Sequence, residues 1–414
     1  MAPPRFRAVR PRVPLRPPAG DRDPLLLERR YLPLFLVTFT LAVGYAFIYS
    51  LTAVIRSQFG ISEAGIGWIG GIGFAAGFLS MVSLSRYADR GHTKVMLRTG
   101  VALVFLGNAG MIFASDLAGF LASRTLLGLG AGLFTPALRR LVVLSDPDRA
   151  GERLGALAAF DMAGFLAGPV LATLFYELGG LRVAFAALAG LVLLVAIPVL
   201  RFRFDDAPGT SIGASSERPI RDLFALSPVR GVILCTVAFY TTVGVFEAIW
   251  AVFLDDLGAS QRYIALTLTL FAIPMLFVPI HGGRLAQRLG PLRVTAWSLG
   301  AAIPFMMLYG ELTDLAALGV LCVVHAIADS FTMPSLQLGI AQAAPRRHLA
   351  SGQGLVGATG QAVAAITAIG SGTVYQFQGA TVLFAGSAGI MLVLLAGGLW
   401  QGRALMAPPA AEPA

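Results

Sequence analysis

His325 and Asp329 stand four residues apart in the stretch HAIADSFTMP, inside a long apolar run. On a helix they share one face, and Cys322 and Thr332 extend it into a narrow polar stripe. Three more ionisable residues interrupt apolar runs in the same way: Arg124, Asp161 and Glu247. A charged group with greasy neighbours must be paired, neutralised or hydrated by a cavity. Imidazole titrates near neutral pH. A His–Asp pair, alone or with Arg124, can therefore hold and release a proton as its access to water changes. The same pair can instead be a static hydrogen bond that fastens one helix to its neighbour.

Two further stripes carry aromatic rings with polar tips. Thr38, Tyr45, Tyr49 and Thr52 fall on one helical side, and Thr236, Tyr240, Gly244, Glu247 and Trp250 on another. Such rings can stack on a flat or cationic solute while their hydroxyl or N–H groups bond to it. Packing between helices would explain any single ring. It gives no reason for the Glu247 carboxylate, which favours a binding face on that helix. Asp161 shares a face with Gly164 and Gly168, so a helix contact suits it as well as a cavity does. No metal-ligand spacing occurs, and no nucleophile lies near the His–Asp pair. The chain does not read as an enzyme, and neither metal nor other cofactor is implied. GIGWIG, from Gly65, fits the dinucleotide pattern G-x-G-x-x-G but follows no strand; helix packing explains it.

The elements that position these groups depend on the solvent. The chain has 414 residues, 56% hydrophobic and 13% charged, with a mean hydropathy of +0.76. Soluble domains carry about a quarter charged residues, so the remaining solvent here is lipid. Twelve apolar segments reach the length of about 20 residues that a helix needs to cross a bilayer. They are 32–54, 65–84, 95–114, 117–138, 154–176 and 183–200, then 231–254, 263–285, 294–312, 315–340, 354–375 and 381–399. None alternates polar and apolar over ten residues as barrel strands do. The expected fold class is an all-α membrane protein.

The net charge of +9 does not mark a nucleic-acid partner. With the N-terminus inside, the tails and the inner loops hold 27 of the 31 basic residues. Arg56, Arg182 and Arg262 alone fall in outer segments. That bias places both termini in the cytoplasm and supports an even number of spans. Residues 1–30 are rich in Arg and Pro and read as a disordered cytoplasmic tail, with a second tail at 401–414. Thirty arginines against one lysine suggest a GC-rich bacterial genome. Cys235 and Cys322 both fall inside spans and behave as small hydrophobes.

The longest polar interval, 201–230, divides the spans six and six, into bundles 31–200 and 231–400 with a cytoplasmic central loop. SRYADRGHTK from Ser85 aligns with GRLAQRLGPL from Gly283 at an offset of 198, and Pro136 meets Pro334 at the same offset. LGGLRVAFAALAG from Leu178 aligns with FQGATVLFAGSAG from Phe377 at 199. Parallel repeats of six helices place a substrate site near the midplane between the halves.

On these residues the chain resembles the major facilitator superfamily, in its twelve-helix group, over roughly 31–400. Asp89, Arg90 and Lys94 match the family signature between helices two and three; Ser85, Thr93 and His92 depart from it. The second copy keeps Gly283, Arg288 and Gly290 but has Gln287 for the acid. The resemblance implies a conformational latch at Asp89, Arg90, Lys94 and Arg288. RTLLGLGAGLFTP, from Arg124, resembles the helix-four signature, in which Gly128 and Gly132 allow close packing. GALAAFDMAGFLAGP, from Gly155, is similar to the antiporter signature of drug–proton exchangers, with Ala172 and Thr173 where its last glycines belong. Helices one, four, seven and ten line the cavity in this family. Many of its drug exporters carry an acid in helix one, whereas 32–54 has none.

The expected function is therefore a secondary transporter: proton-coupled efflux of amphipathic or cationic small molecules by rocking of the halves. Proton-coupling candidates are Glu247 first and Asp329 second, with His325 and Asp161. Substrate-cavity candidates are Arg124, Tyr45, Tyr49, Tyr240, Trp250 and Thr332. The expected partners are a small-molecule substrate, protons and the lipid bilayer, with no nucleic acid, for a monomer in a bacterial cell membrane. The rivals are a symporter or facilitator for a sugar, organic acid or other metabolite, and a non-transporting membrane sensor. The sensor would need a soluble output domain that the tails and central loop are too short to hold.

Overall fold

The computed structural model describes residues 24–84, 87, 92–145, 150–201, 219–345 and 348–407. Among them the regular structure is helical throughout. In chain order the helices are α1 (Pro24–Ser50), α2 (Thr52–Phe59), α3 (Glu63–Leu84), α4 (Thr93–Phe113), α5 (Leu117–Ser145) and α6 (Ala150–Arg201). They continue as α7 (Pro219–Ala225), α8 (Ser227–Asp256), α9 (Gln261–Phe277), α10 (Pro279–Leu289), α11 (Pro291–Tyr309), α12 (Leu315–Ala343) and α13 (Leu349–Gln401).

Nine of the described helices are long and apolar enough to cross a membrane, and α9 and α10, bent by 50°, together form one more span. Two of the nine, α6 and α13, have 52 and 53 residues, twice the length a crossing needs. Each is broken by glycine at its middle, which makes two spans of it. The total is the expected twelve. The breaks have the same backbone geometry: Gly180 has φ 75° and ψ −172°, and Gly379 has φ 78° and ψ −177°. That region is open essentially to glycine alone. The two residues are 199 apart, so the repeat read from sequence returns as a repeated turn. Pro136 and Pro334 likewise both lie inside helices, α5 and α12.

Buried hydroxyls are handled locally. Thr40, Thr241, Ser330 and Ser335 each donate to the carbonyl four residues back, which lets polar residues sit in apolar spans without an orphaned donor. Large apolar side chains such as Leu79, Leu194, Ile366 and Trp400 point outward and are exposed, as a lipid-facing belt requires. One core cluster lies mainly in the second half, from Leu223 to Leu405, but takes in Ala53; of two in the first half, one takes in Val252 across the seam.

Several boundaries differ from expectation. The first helix begins at Pro24, inside the expected tail; residues 1–23 and 408–414 lie outside the described residues. Helix α5 runs on to Ser145, so Arg139 and Arg140 are helical rather than in a loop. Nothing between Leu138 and Ser145 breaks the helical hydrogen bonds. The interval 201–230 contains the short α7, and residues 202–218 lie outside the described residues.

The halves meet along α3 and the first limb of α13, and again where α6 faces α9. Backbones approach closely at Gly67, where a Cβ would lie 2.6 Å from the Ala368 carbonyl oxygen. Polar contacts across the seam gather at the end distant from both termini. Arg56 Nη2 meets Asp255 at 3.0 Å and Asp256 at 2.5 Å, while its Nη1 meets Glu63 at 3.3 Å. Within the second half, Tyr375 Oη braces Asp256, donating to it at 2.7 Å. Gln261 donates to the Ser50 carbonyl at 2.8 Å, and Arg262 pairs with Glu177 at 2.6 Å.

Candidate functional site

Arg124 on α5 is fully buried, and its guanidinium is held by three oxygens. Nε donates to the Ile69 carbonyl at 3.0 Å; Nη2 donates to the Gly70 carbonyl and to the Tyr49 hydroxyl, both at 3.3 Å. Gly73, one turn further along α3, makes the room: a Cβ there would lie 3.0 Å from the guanidinium carbon. The cation also sits over two rings, 5.2 Å from the centroid of Tyr45 and 5.3 Å from that of Tyr49. Phe74 stacks on both tyrosines, at 6.2 and 6.5 Å. Sequence reasoning did not single out Phe74.

Glu247, on α8 of the other half, comes to this cluster. Arg124 is the cation that acts on its carboxylate, and Tyr49 is the phenol that acts on it beside Arg124. Two atoms are buried without a protein partner, Arg124 Nη1 and Glu247 Oε2, and Gln361 Oε1 on α13 is a third. Arg124, Tyr45, Tyr49 and Glu247 thus form one group built from both halves. Tyr240 belongs to its edge: Thr367 Oγ1 donates to its carbonyl at 3.4 Å, its ring lies against Gly360, and Glu247 and Arg139 both act on its hydroxyl. Asp161 is exposed on α6, and Arg139 is the cation that acts on its carboxylate. By sequence Arg139 falls just past the apolar segment 117–138, among the inner-loop charges. The extension of α5 brings it into play.

His325 and Asp329 are elsewhere. They are 0% and 2% exposed, inside the second half, with Nε2 and Oδ2 3.5 Å apart. His325 Nδ1 faces the Tyr309 hydroxyl at 3.3 Å, and the imidazole is walled by Phe246, Phe271 and Phe305 at 5.6–6.2 Å. Arg124 makes no triad with them. It is turned toward α1 and α3 of its own half, while the pair is turned toward α8, α9 and α11. Thr332 donates to Ser298 at 2.8 Å, and Trp250 Nε1 donates to Thr267 at 3.0 Å. These two residues, expected at the cavity, are 0% and 1% exposed and stitch helices within the second half. The α8 stripe therefore splits: Glu247 faces the seam, Gly244 faces Thr367 of α13, and Trp250 faces the aromatic core.

Of the latch residues, Asp89 and Arg90 lie outside the described residues. Lys94 is in the first turn of α4 and Arg288 in the last turn of α10, at the end opposite the Arg56 cluster. Among the described residues no group of three His, Cys, Asp or Glu side chains is placed to hold a metal ion. A hollow of about 620 Å³ between α1 and α6 is lined by Phe47, Leu171, Leu188 and other apolar residues. It offers nothing to a proton or a polar solute.

The family model of the Major Facilitator Superfamily matches residues 34–246 and again 232–413. Multidrug resistance protein MdtG of Serratia proteamaculans is 27% identical over 60% of this chain, and the alignment spans 62% of that protein, under two thirds of its length. MdtG of Proteus mirabilis is 24% identical over 72% of this chain and 77% of that protein. A bacterial homologue of the human lysosomal transporter Spinster, inward-facing and unoccupied, superposes with a TM-score of 0.78 at 14% identity, covering 95% of this chain and all of that one. The nucleoside transporter NupG superposes with a TM-score of 0.74 at 14% identity over 90% of this chain and 98% of that one. With this fold and both halves matched, the chain belongs to the Major Facilitator Superfamily and is a multi-pass membrane transporter, not an enzyme.

Proposed function

We propose that the chain is a proton-coupled exporter of amphipathic or cationic small molecules, working by alternating access. One observation carries this: a carboxylate from one half, Glu247, lies in the field of Arg124 from the other, whose guanidinium is itself bound to Tyr49 at the seam between the halves. A proton taken up by Glu247 changes the charge of that seam, and a cationic substrate competes for the same oxygen. Proton and substrate then bias one two-state equilibrium, which is what coupling requires. Tyr45 and Phe74 offer aromatic faces to the solute. The multidrug names of the MdtG relatives support the direction and the substrate class.

The positive-inside bias puts both termini in the cytoplasm of a bacterial inner membrane. The end closed by Arg56, Asp255 and Asp256 is then external, and the state is inward-facing. The halves 31–200 and 231–400 are the rocking bodies, 201–230 links them, and Asp89, Arg90, Lys94 and Arg288 serve as the inner latch of the opposite state. The enclosure of His325 and Asp329 favours the static lock for that pair.

The accessible Asp161, with Arg139 as its counter-charge, favours a second reading, a symporter or facilitator for a polar metabolite. A thermal-shift panel separates the two, because a binder stabilises the native state by mass action. Stabilisation by lipophilic cations and not by sugars or organic acids supports export.

The decisive test is Glu247→Gln in liposomes. Proton-gradient-driven movement of a fluorescent lipophilic cation should fall by more than an order of magnitude while the protein still inserts. Unimpaired gradient-driven transport by this variant would remove Glu247 from the coupling role.

A further inference from the structure

Arg56, Arg182 and Arg262 are the arginines of the outer segments, and two of them are engaged in ion pairs. Arg56 meets Glu63, Asp255 and Asp256, and Arg262 meets Glu177. Arg182 makes no ion pair among the described residues. It stands two residues after Gly180, at the turn of α6, and lines a hollow of about 310 Å³ at the end distant from both termini. The hollow lies between that turn, the C-terminal ends of α2 and α4 and the start of α5. Its floor is aromatic: Phe59, Phe120 and Phe185, the first two edge to face at 5.3 Å. Its rim is polar and exposed: Gln58, Ser115 and Arg182. The acids closest in sequence are engaged elsewhere. Glu177 pairs with Arg262, and Asp116 Oδ1 caps α5, accepting from the Gly119 N–H at 2.8 Å.

The second half shows the same place closed. Helices α4 and α11 begin 198 residues apart, so the counterpart of Ile112 is Gly310. At the offset of the turns, 199, the counterpart of Arg182 is Thr381. There the turn lies on the end of α11: Thr381 Oγ1 donates to the Gly310 carbonyl at 2.7 Å, and a Cβ at Gly310 would lie 2.8 Å from Thr381 Cα. Only glycine permits that approach. Ile112 puts a branched side chain at the equivalent place and lines the opening beside the Gly180 turn. Two turns of one backbone geometry thus have unlike surroundings, and the fold by itself does not require the hollow.

Phe113, Leu178 and Val183 flank the lining residues and are exposed, so the hollow opens where the lipid-facing belt meets water. A ligand at that boundary needs an anion for Arg182, acceptors for Gln58 and Ser115, and an apolar body. We propose that the hollow seats the phosphate and glycerol of a phospholipid from the leaflet at this end, with Arg182 as the charge that holds it. A guanidinium matches phosphate oxygens with paired donors. The Gln58 amide and the Ser115 hydroxyl serve the oxygens left over, and the chains pass into the bilayer beside Phe113 and Val183. The site does not involve Arg124 or Glu247, so it stands whichever solute the carrier moves.

Dihexanoyl phosphatidylglycerol, short enough to be titrated from solution, is the probe, added to the full chain in an uncharged detergent. Bound lipid raises the unfolding temperature by mass action, and the concentration of half-maximal shift reports its affinity. Arg182→Gln should raise that concentration about tenfold or more, the effect of losing a charge-assisted contact. Arg182→Lys should keep most of the affinity. Ala114→Trp fills the hollow, leaves the charge in place and should weaken binding as well. No shift in the wild type, or equal titrations of the wild type and Arg182→Gln, overturns the inference. So does an Ala114→Trp variant that binds as the wild type does, because the lipid would then sit elsewhere. Dihexanoylglycerol has the chains without the phosphate, and glycerol phosphate has the phosphate without the chains; each should bind poorly. Binding of the first as tight as the probe's would reduce the contact to chain packing, and of the second to a free-anion site. Either result ends the phospholipid assignment.

Discussion

Buried charge in this molecule is resolved in two ways. Arg124 gives its donors to two carbonyls of α3 and one phenol, leaves Nη1 without a partner, and acts on the Glu247 carboxylate of the other half. His325 and Asp329 instead find each other, Tyr309 and a wall of rings inside one rigid half. The first arrangement leaves polar valence facing the seam, and the second leaves His325 Nε2 and Asp329 Oδ1 without a hydrogen-bond partner, Nε2 having Asp329 Oδ2 at 3.5 Å. A lock reads differently from a coupling site in experiment. Asp329→Asn should lower the unfolding temperature in detergent, at a cost of about 1–3 kcal/mol for a disturbed buried hydrogen-bonding group. It should leave the pH profile of transport where it was. A displaced profile with native stability would return Asp329 to the coupling role.

At the scale of the helix, hydropathy and repeats are strong signals. Apolar runs of a span's length appear because lipid tolerates no exposed backbone, and they gave twelve crossings. The turn at Gly180 and its counterpart at Gly379 followed from one offset. The direction in which a polar stripe points was not legible. Trp250 and Thr332 lie on helices that also carry seam-facing or ionisable groups, and polarity in a span says only that a side chain avoids lipid. A neighbouring helix of the same half satisfies it as well as a cavity does, and neighbours are not encoded locally. The place of Arg139 was not legible for a related reason: α5 runs on to Ser145, past the apolar segment that announces it. The repeated turns carry their own test. A Cβ at Gly180 or Gly379 would meet no atom within 4 Å, so only the backbone conformation opposes a side chain there. Alanine at either should cost about 1–3 kcal/mol, to a similar degree at both. Calorimetry showing one turn tolerant and the other not would mean that the halves do not use the turn alike.

At the scale of the whole molecule, the ion pairs between the halves gather at one end. Arg56 is shared among Glu63 of its own half and Asp255 and Asp256 of the other, and Tyr375 braces Asp256. Partly exposed ion pairs are individually weak, about 0.2–1 kcal/mol each. Alternative states of a transporter differ by only a few kcal/mol, so losing two such pairs is enough to redistribute them several-fold. Arg56→Gln should therefore open this end more often without unfolding either half, because the apolar residues packed beside it, Ala53, Ile55 and Leu254, are unchanged. Ser50 is a suitable reporter because it is fully buried beneath the cluster and accepts from Gln261 across the seam. In a Ser50→Cys background, with Cys235 and Cys322 enclosed in the second half, a membrane-impermeant maleimide should label position 50 several-fold faster once Arg56 is neutralised. Equal labelling rates with and without Arg56 would mean that the cluster decorates a closure maintained by the glycine contacts of α3 and α13. In that case widening the contact, with alanine at Gly67, is the change that should open the end.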